Sequence, residues 1–385
     1  KACHGFGSTT QVGLTQALAL IYELPSSRGT RNHMNFSLAI GMALAASIGI
    51  APNAQHGPAD EIKQLGTVLV TGKKPGPGMW RISNGNHVVW LLGTVSPLPK
   101  QLEWQSTEVA RIMERTNAVL APPGAEADIS AGDVFKMTLL ARSAIKATKL
   151  PGRKTLEDVL SAETYAQWKF MTEKYAFNSS KSERMRPVFA AQELYYSAID
   201  HEGFTRTDVV WNTIRSAAAE RSLPIIETKI KFPLAIDRKK YKAGIESLSS
   251  STLGDIDCFN ETMEEIEKII EDFSKVSNSW VVGDISELER LKISEINPPC
   301  KSYYDSVMGF QKRESLVGEQ DSAWITAAES ALSTYAVTIA VAPLNDMLKP
   351  GGFLERLSSK GYLVQGPDDA GEGANDAGEI DGDES

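Results

Sequence analysis

The chain has 385 residues, 42% of them hydrophobic and 23% charged, with a formal net charge of −9. That length and balance allow one large folded domain or two, with a sizeable core. Eight of the acids lie in the last twenty-one residues, which leaves the rest near neutral, and nothing suggests a nucleic-acid surface, which needs Lys and Arg concentrated on one face.

From Met34 the chain reads "MNFSLAIGMALAASIGIAPNAQHGPAD", and Phe36–Ile50 carries no charge. The run is short for a membrane span and suits the apolar region of a secretory signal, with Ala51 and Ala54 as candidate cleavage points. The expected organisation is therefore an upstream segment over 1–33, a signal peptide over 34–54 and a linker over 55–78 that ends in "TGKKPGPG". An exported protein, periplasmic or secreted, follows from that reading. An uncleaved signal would be its one attachment to a membrane.

Two β-rich runs in "MWRISNGNHVVWLLG" flank Asn84-Gly85-Asn86. Asn-Gly in that setting predicts a hairpin, because both residues tolerate positive φ. The second run ends at Gly93-Thr94-Val95-Ser96. Next, "LEWQSTEVARIMERTN" places Val109, Ile112 and Met113 on one helix face, and "AVLAPPG" (Ala118–Gly124) reads as a short strand. Strand, helix and strand make a βαβ unit, with parallel strands and the ends near Ser96 and Ala121 expected side by side at the carboxyl edge of the sheet. Ligands sit at that edge in open α/β sheets.

The middle reads mostly as helix, over about 155–175, 183–200, 207–221, 257–275, 285–293 and 318–333. Within it "LPIIET" reads as a strand ending in Glu227. Near the C-terminus "AVTIAVAP" predicts a strand that ends in Ala342-Pro343-Leu344-Asn345. "GGFLERLSSKG" predicts a helix and "YLVQ" a last strand, a second βαβ-like unit. The fold class is α/β: two βαβ-like units forming a sheet core, with a helical middle insert. The folded domain is expected over 79–366. The final stretch, 367–385, is acidic, has almost no large apolar residue and is expected to stay unfolded.

Several motifs now stand in order: "MWRISNGNHVVWLLGT", Arg186-Pro187, "GFTRTDVVWNTIRSAAAERSLPIIET", "SWVVGD" and "LERLSSKGYLV". Together they resemble the TraB/GumN family, related to the TIKI metalloproteases, from about Met79 to Gln365. The resemblance implies two Gly-x-x-His motifs, one near each end, and a Glu after the second strand. These groups would hold a divalent metal such as Mn or Co for peptide hydrolysis, the metal activating water at an open position. This sequence departs at each point. Ser96 stands where the first His is implied, Ala121 where the Glu is, and Asn345 where the second His is. A one-residue shift would bring Asp346 to that last place. The family's Arg-Asn-x-x-Trp run is changed to "QDSAW", with Gln320, Asp321 and Trp324. The reading that follows is an exported family member with a degenerate metalloprotease-like site. It would bind a peptide or an envelope protein without catalysis and without a cofactor. The alternative is an active metal-dependent hydrolase that uses the carboxylates Glu227 and Asp346.

Each candidate also has a plainer reading. Ser96 as a nucleophile would need a base, and no His is near it in sequence; a turn serine satisfying backbone groups explains it. Glu227 is either a residual ligand or acid/base group or a carboxylate paired with a base. Asp208, after Thr207, suits a helix N-cap. Trp280 with Gly283-Asp284 suits packing and a turn. His56, His87 and His201 have no ligand spacing to one another. Of the cysteines, Cys258 and Cys300 remain after signal removal. They are either one disulfide, closing a loop of about forty residues worth roughly 3–4 kcal/mol, or two separate buried thiols.

Overall fold

The computed structural model describes residues 76–233, 239, 253–293, 296, 299–300 and 313–370. The segment before residue 76, with the expected signal peptide, lies outside the described residues, as does 371–385 of the acidic tail. The tail's first residues, Pro367–Ala370, form a helical turn rather than an unfolded start.

In chain order the elements begin with the hairpin β1 (Met79–Asn84) and β2 (His87–Thr94), then β3 (Leu98–Pro99), α1 (Thr107–Arg115), β4 (Ala118–Leu120), β5 (Ala125–Asp128) and α2 (Ala131–Ala147). The middle holds α3 (Ala162–Lys174), α4 (Pro187–His201), β6 (Phe204–Thr205), α5 (Val209–Glu220), β7 (Ile225–Ile226), β8 (Ile230–Pro233), α6 (Leu253–Val281) and α7 (Ile285–Arg290). The chain closes through α8 (Arg313–Thr334), β9 (Val337–Pro343), α9 (Leu344–Leu348), α10 (Phe353–Ser359), β10 (Leu363–Gln365) and α11 (Pro367–Ala370).

The main sheet has the order β10-β1-β2-β9-β4-β7. Strands β2, β9, β4 and β7 are mutually parallel, and β1 runs antiparallel to both of its neighbours. This is the α/β class read from the sequence, with one correction. The ends of β2 and β4 are not side by side, because β9 lies between them. Strand order is decided by long-range packing, and nothing local in "VTIAVAP" states which gap it fills. Its near-continuous burial does suit a central parallel strand covered on both faces.

Helix starts follow local chemistry. The hydroxyls of Ser106, Ser130 and Ser161, like the carboxylates of Asp208 and Asp284, accept from a backbone N–H in the first turn that follows. The sheet core gathers Trp80, Leu91, Leu120 and Ile339 with Ile214 of α5, Trp280 of α6 and Trp324 of α8. A second core in the helical middle joins Trp168 of α3, Leu194 of α4, and Phe259 and Ile266 of α6. Helix α6 belongs to both, with Phe273 in the helical core and Val276 in the sheet core.

Candidate functional site

The carboxyl ends of β2 and β9 leave the sheet in register, Thr94 opposite Pro343. Ser96 lies two residues beyond one end and Asn345 two beyond the other. Gly93 permits the close approach of α9 to β2, since a Cβ there would sit 2.6 Å from Leu344 Cδ1 and 3.2 Å from Met347 Sδ. Thr94 Oγ1 donates to the Ala342 carbonyl at 3.3 Å and ties the two strand ends together.

A cleft of about 290 Å³ opens at this edge. Its polar groups are Thr94, Ser96, Asn345 and Asp208; Phe273 and Val276 of α6, with Ile293 and Ile296, supply much of its apolar wall. Asp208 caps α5, its Oδ1 accepting from Trp211 N at 2.8 Å. Burial pushes its carboxyl above the ordinary aspartate range, against the opposing pull of the Trp211 and Val210 backbone hydrogen bonds. Asn345 Nδ2 donates to the Ile293 carbonyl at 3.5 Å.

The other candidate residues lie elsewhere. Ala121 is 2% exposed, and its carbonyl accepts from Trp324 Nε1 at 3.1 Å. Glu227 is exposed at the end of β7, the edge strand three places from β2. At about 4.8 Å per strand that is roughly 14 Å from the Ser96 end. Asp346 pairs with Lys349 at 2.9 Å, and the same ammonium meets Asp321 of "QDSAW" at 3.0 Å. Burial works against that ammonium, yet its hydrogen bonds to Asp346 and Asp321 hold its pKa above the usual lysine value. Neither Glu227 nor Asp346 lines the cleft among the described residues.

Two tryptophans shape this edge. Trp280 Nε1 donates to the Gly93 carbonyl at 2.7 Å, as Trp324 does to Ala121. Each indole, carried on a helix, fixes the carboxyl end of one strand. In "SWVVGD", Gly283 has φ +73° and a Cβ there would sit 2.7 Å from the Gly76 carbonyl, while Asp284 caps α7. That agrees with packing and a turn. His87 Nδ1 donates to the Leu332 carbonyl at 2.9 Å, and His201 ends α4. Sequence reasoning missed the four apolar wall residues, whose helical or loop pattern reads as ordinary core.

The donor set at the cleft does not fit a divalent metal of the Mn or Co kind. It offers the hydroxyls of Thr94 and Ser96, a carboxamide and a carboxylate that is already engaged by a helix N-terminus, and no imidazole. Among the described residues no group of three or more His, Cys, Asp or Glu is arranged to hold a metal ion.

A mostly parallel sheet with helices packed on it and a cleft at its carboxyl edge defines an α/β protein of the open-sheet kind. Residues 78–366 match the TraB/PrgY/gumN family, and the chain belongs to it. No curated protein and no solved structure shows a significant match.

Proposed function

We propose that this protein is an exported, non-catalytic member of its family that binds a peptide or a partner protein in the cleft at the β2 and β9 strand ends. The observation that carries the reading is the company of Ser96 and Asn345. Both line a cleft with an apolar wall and a few hydrogen-bonding groups, the usual make-up of a binding site. An extended segment would place an apolar side chain against Phe273 and Ile296 and offer its amides to Ser96 and Asn345. Export is supported by the uncharged run Phe36–Ile50. The bond between Cys258 and Cys300 suits an oxidising compartment.

The test compares the wild type with a Ser96→His, Ala121→Glu, Asn345→His variant for bound metal and for peptide cleavage. The wild type is expected to purify without stoichiometric Mn, Co or Zn and to show no chelator-sensitive cleavage. Gain of metal by the variant alone supports a lost site. Stoichiometric metal in the wild type, with cleavage abolished by chelator, would overturn the reading in favour of a hydrolase.

A further inference from the structure

Helix α2 is apolar on two sides. Leu140, Ala144 and Ala147 are buried in the fold, whereas Val134, Phe135, Leu139 and Ile145 are 50–64% exposed. At 3.6 residues per turn the second set lies on the side away from the first. Single exposed apolar residues are ordinary, but four on one short helix form a patch that calls for a cover.

Beyond its first turn the helix, with the residues that follow it, carries charge of one sign. From Val134 to Leu156 the sequence holds Lys136, Arg142, Lys146, Lys149, Arg153 and Lys154 and no acid, in a chain of net charge −9. Lys136 pairs with Asp133 at 2.8 Å. Arg142, Lys146, Lys149 and Arg153 are exposed and form no ion pair among the described residues. Around the helix, Arg142 and Lys146 fall between Val134 and Ile145 on one flank and Leu139 on the other, so the bases are interleaved with the apolar groups.

We propose that α2 is an interfacial helix that docks the domain on an anionic lipid bilayer. Its apolar side chains would enter between the headgroups while the long basic side chains reach the phosphates. Other covers match half of the surface. A second copy would bring two uncompensated basic stretches together. The acidic segment after Gln365 matches the charge, but Ile380 is its one large aliphatic residue. A nucleic acid would meet the bases and leave Phe135 and Leu139 in water. A flat, fluid, negatively charged surface meets both demands of a convex helix.

The test is flotation of the full chain with vesicles of phosphatidylcholine, alone or mixed with phosphatidylglycerol. Tighter binding to the mixed vesicles is expected. The double variant Phe135→Ser, Leu139→Ser should lose that preference. The Arg142→Gln, Lys146→Gln variant should bind them about 25-fold more weakly, each base near an anionic surface being worth about a fivefold factor. All four positions are exposed, so folding is preserved, and circular dichroism checks this. The run Phe36–Ile50 is common to every protein compared, so any lipid affinity of its own cancels. Equal binding of wild type and variants, equal binding to both vesicle types, or no binding would overturn the proposal. A dimer in sedimentation equilibrium that the Phe135→Ser, Leu139→Ser pair dissociates would overturn it too, by giving the face to a second copy.

Discussion

Asp208 performs two tasks that pull its ionisation in opposite directions. As the α5 cap it accepts from Trp211 N, which favours the carboxylate; as a wall of the cleft it is partly removed from water, which favours the acid. Burial wins, and its pKa lies above the ordinary 3.8. A carboxyl that holds its proton more tightly folded than unfolded adds stability below pH 3.8, and that stability is lost as the pH rises through the raised value. Asparagine caps a helix about as well as aspartate. Asp208→Asn should therefore be at least as stable as the wild type at neutral pH and should remove this group's contribution to the pH dependence. Asp208→Ala should lose about 1 kcal/mol through the missing cap. Denaturant titrations across the acid range measure both, and a clearly less stable asparagine variant at neutral pH would sink the argument. The cap was legible from Thr207-Asp208 alone. Its place in the cleft was not, because that depends on where α5 docks.

At the scale of elements, legibility followed the clarity of the local pattern. The hairpin, α1, β9 and α10 each carry one clean signal: Asn-Gly, a single apolar stripe, a β-branched run, bounding glycines. Helix α2 does not appear among the sequence expectations, and its two-sided apolar distribution explains why: no single stripe stands out to set the period. The short ladders of β3 with β6 and β5 with β8 are too brief to show any periodicity. Arg186-Pro187 was legible as a motif, but its purpose needs the partner. Arg186 Nε and Nη2 donate to Asp255 at 2.6 and 2.8 Å, a buried fork that fastens the start of α4 to the first turn of α6. Removing one side of such a pair strands a buried charge and costs about 3–5 kcal/mol, whereas apolar replacement of both is often near neutral. Arg186→Leu should thus be strongly destabilised in urea, and Arg186→Leu with Asp255→Leu should recover much of the loss. A double variant as unstable as the sum of the two singles would show that the fork is not coupled in this way.

Across the whole molecule, α6 is the member that joins the helical middle to the sheet, and the cleft forms where the two meet. Phe273 and Val276 line the cleft from α6; Ile293 and Ile296 line it from the segment leading to Cys300. That segment is returned to α6 by the bond between Cys300 and Cys258, 42 residues apart, and by the Cys300 N–H donating to Glu261 Oε1 at 3.1 Å. The bond lies in a buried cluster with Val188 and Phe189 of α4, so it ties three parts of the middle together. In the chain-entropy view, closing a loop of this length restricts the unfolded chain by about 4 kcal/mol. Reduction by a phosphine should lower the unfolding free energy of the wild type by that order. It should leave a Cys258→Ala, Cys300→Ala variant unaffected, since that protein begins at the lower value. The sheet core contains neither cysteine, so far-UV circular dichroism below the transition should be the same with and without reductant. The wall carrying Ile293 and Ile296 should be the first part to gain hydrogen exchange on reduction, because its covalent return to α6 is lost while the sheet edge stays held by Trp280 and Trp324. If exchange rose at β2 and β9 instead, the disulfide would be supporting the sheet rather than the cleft wall.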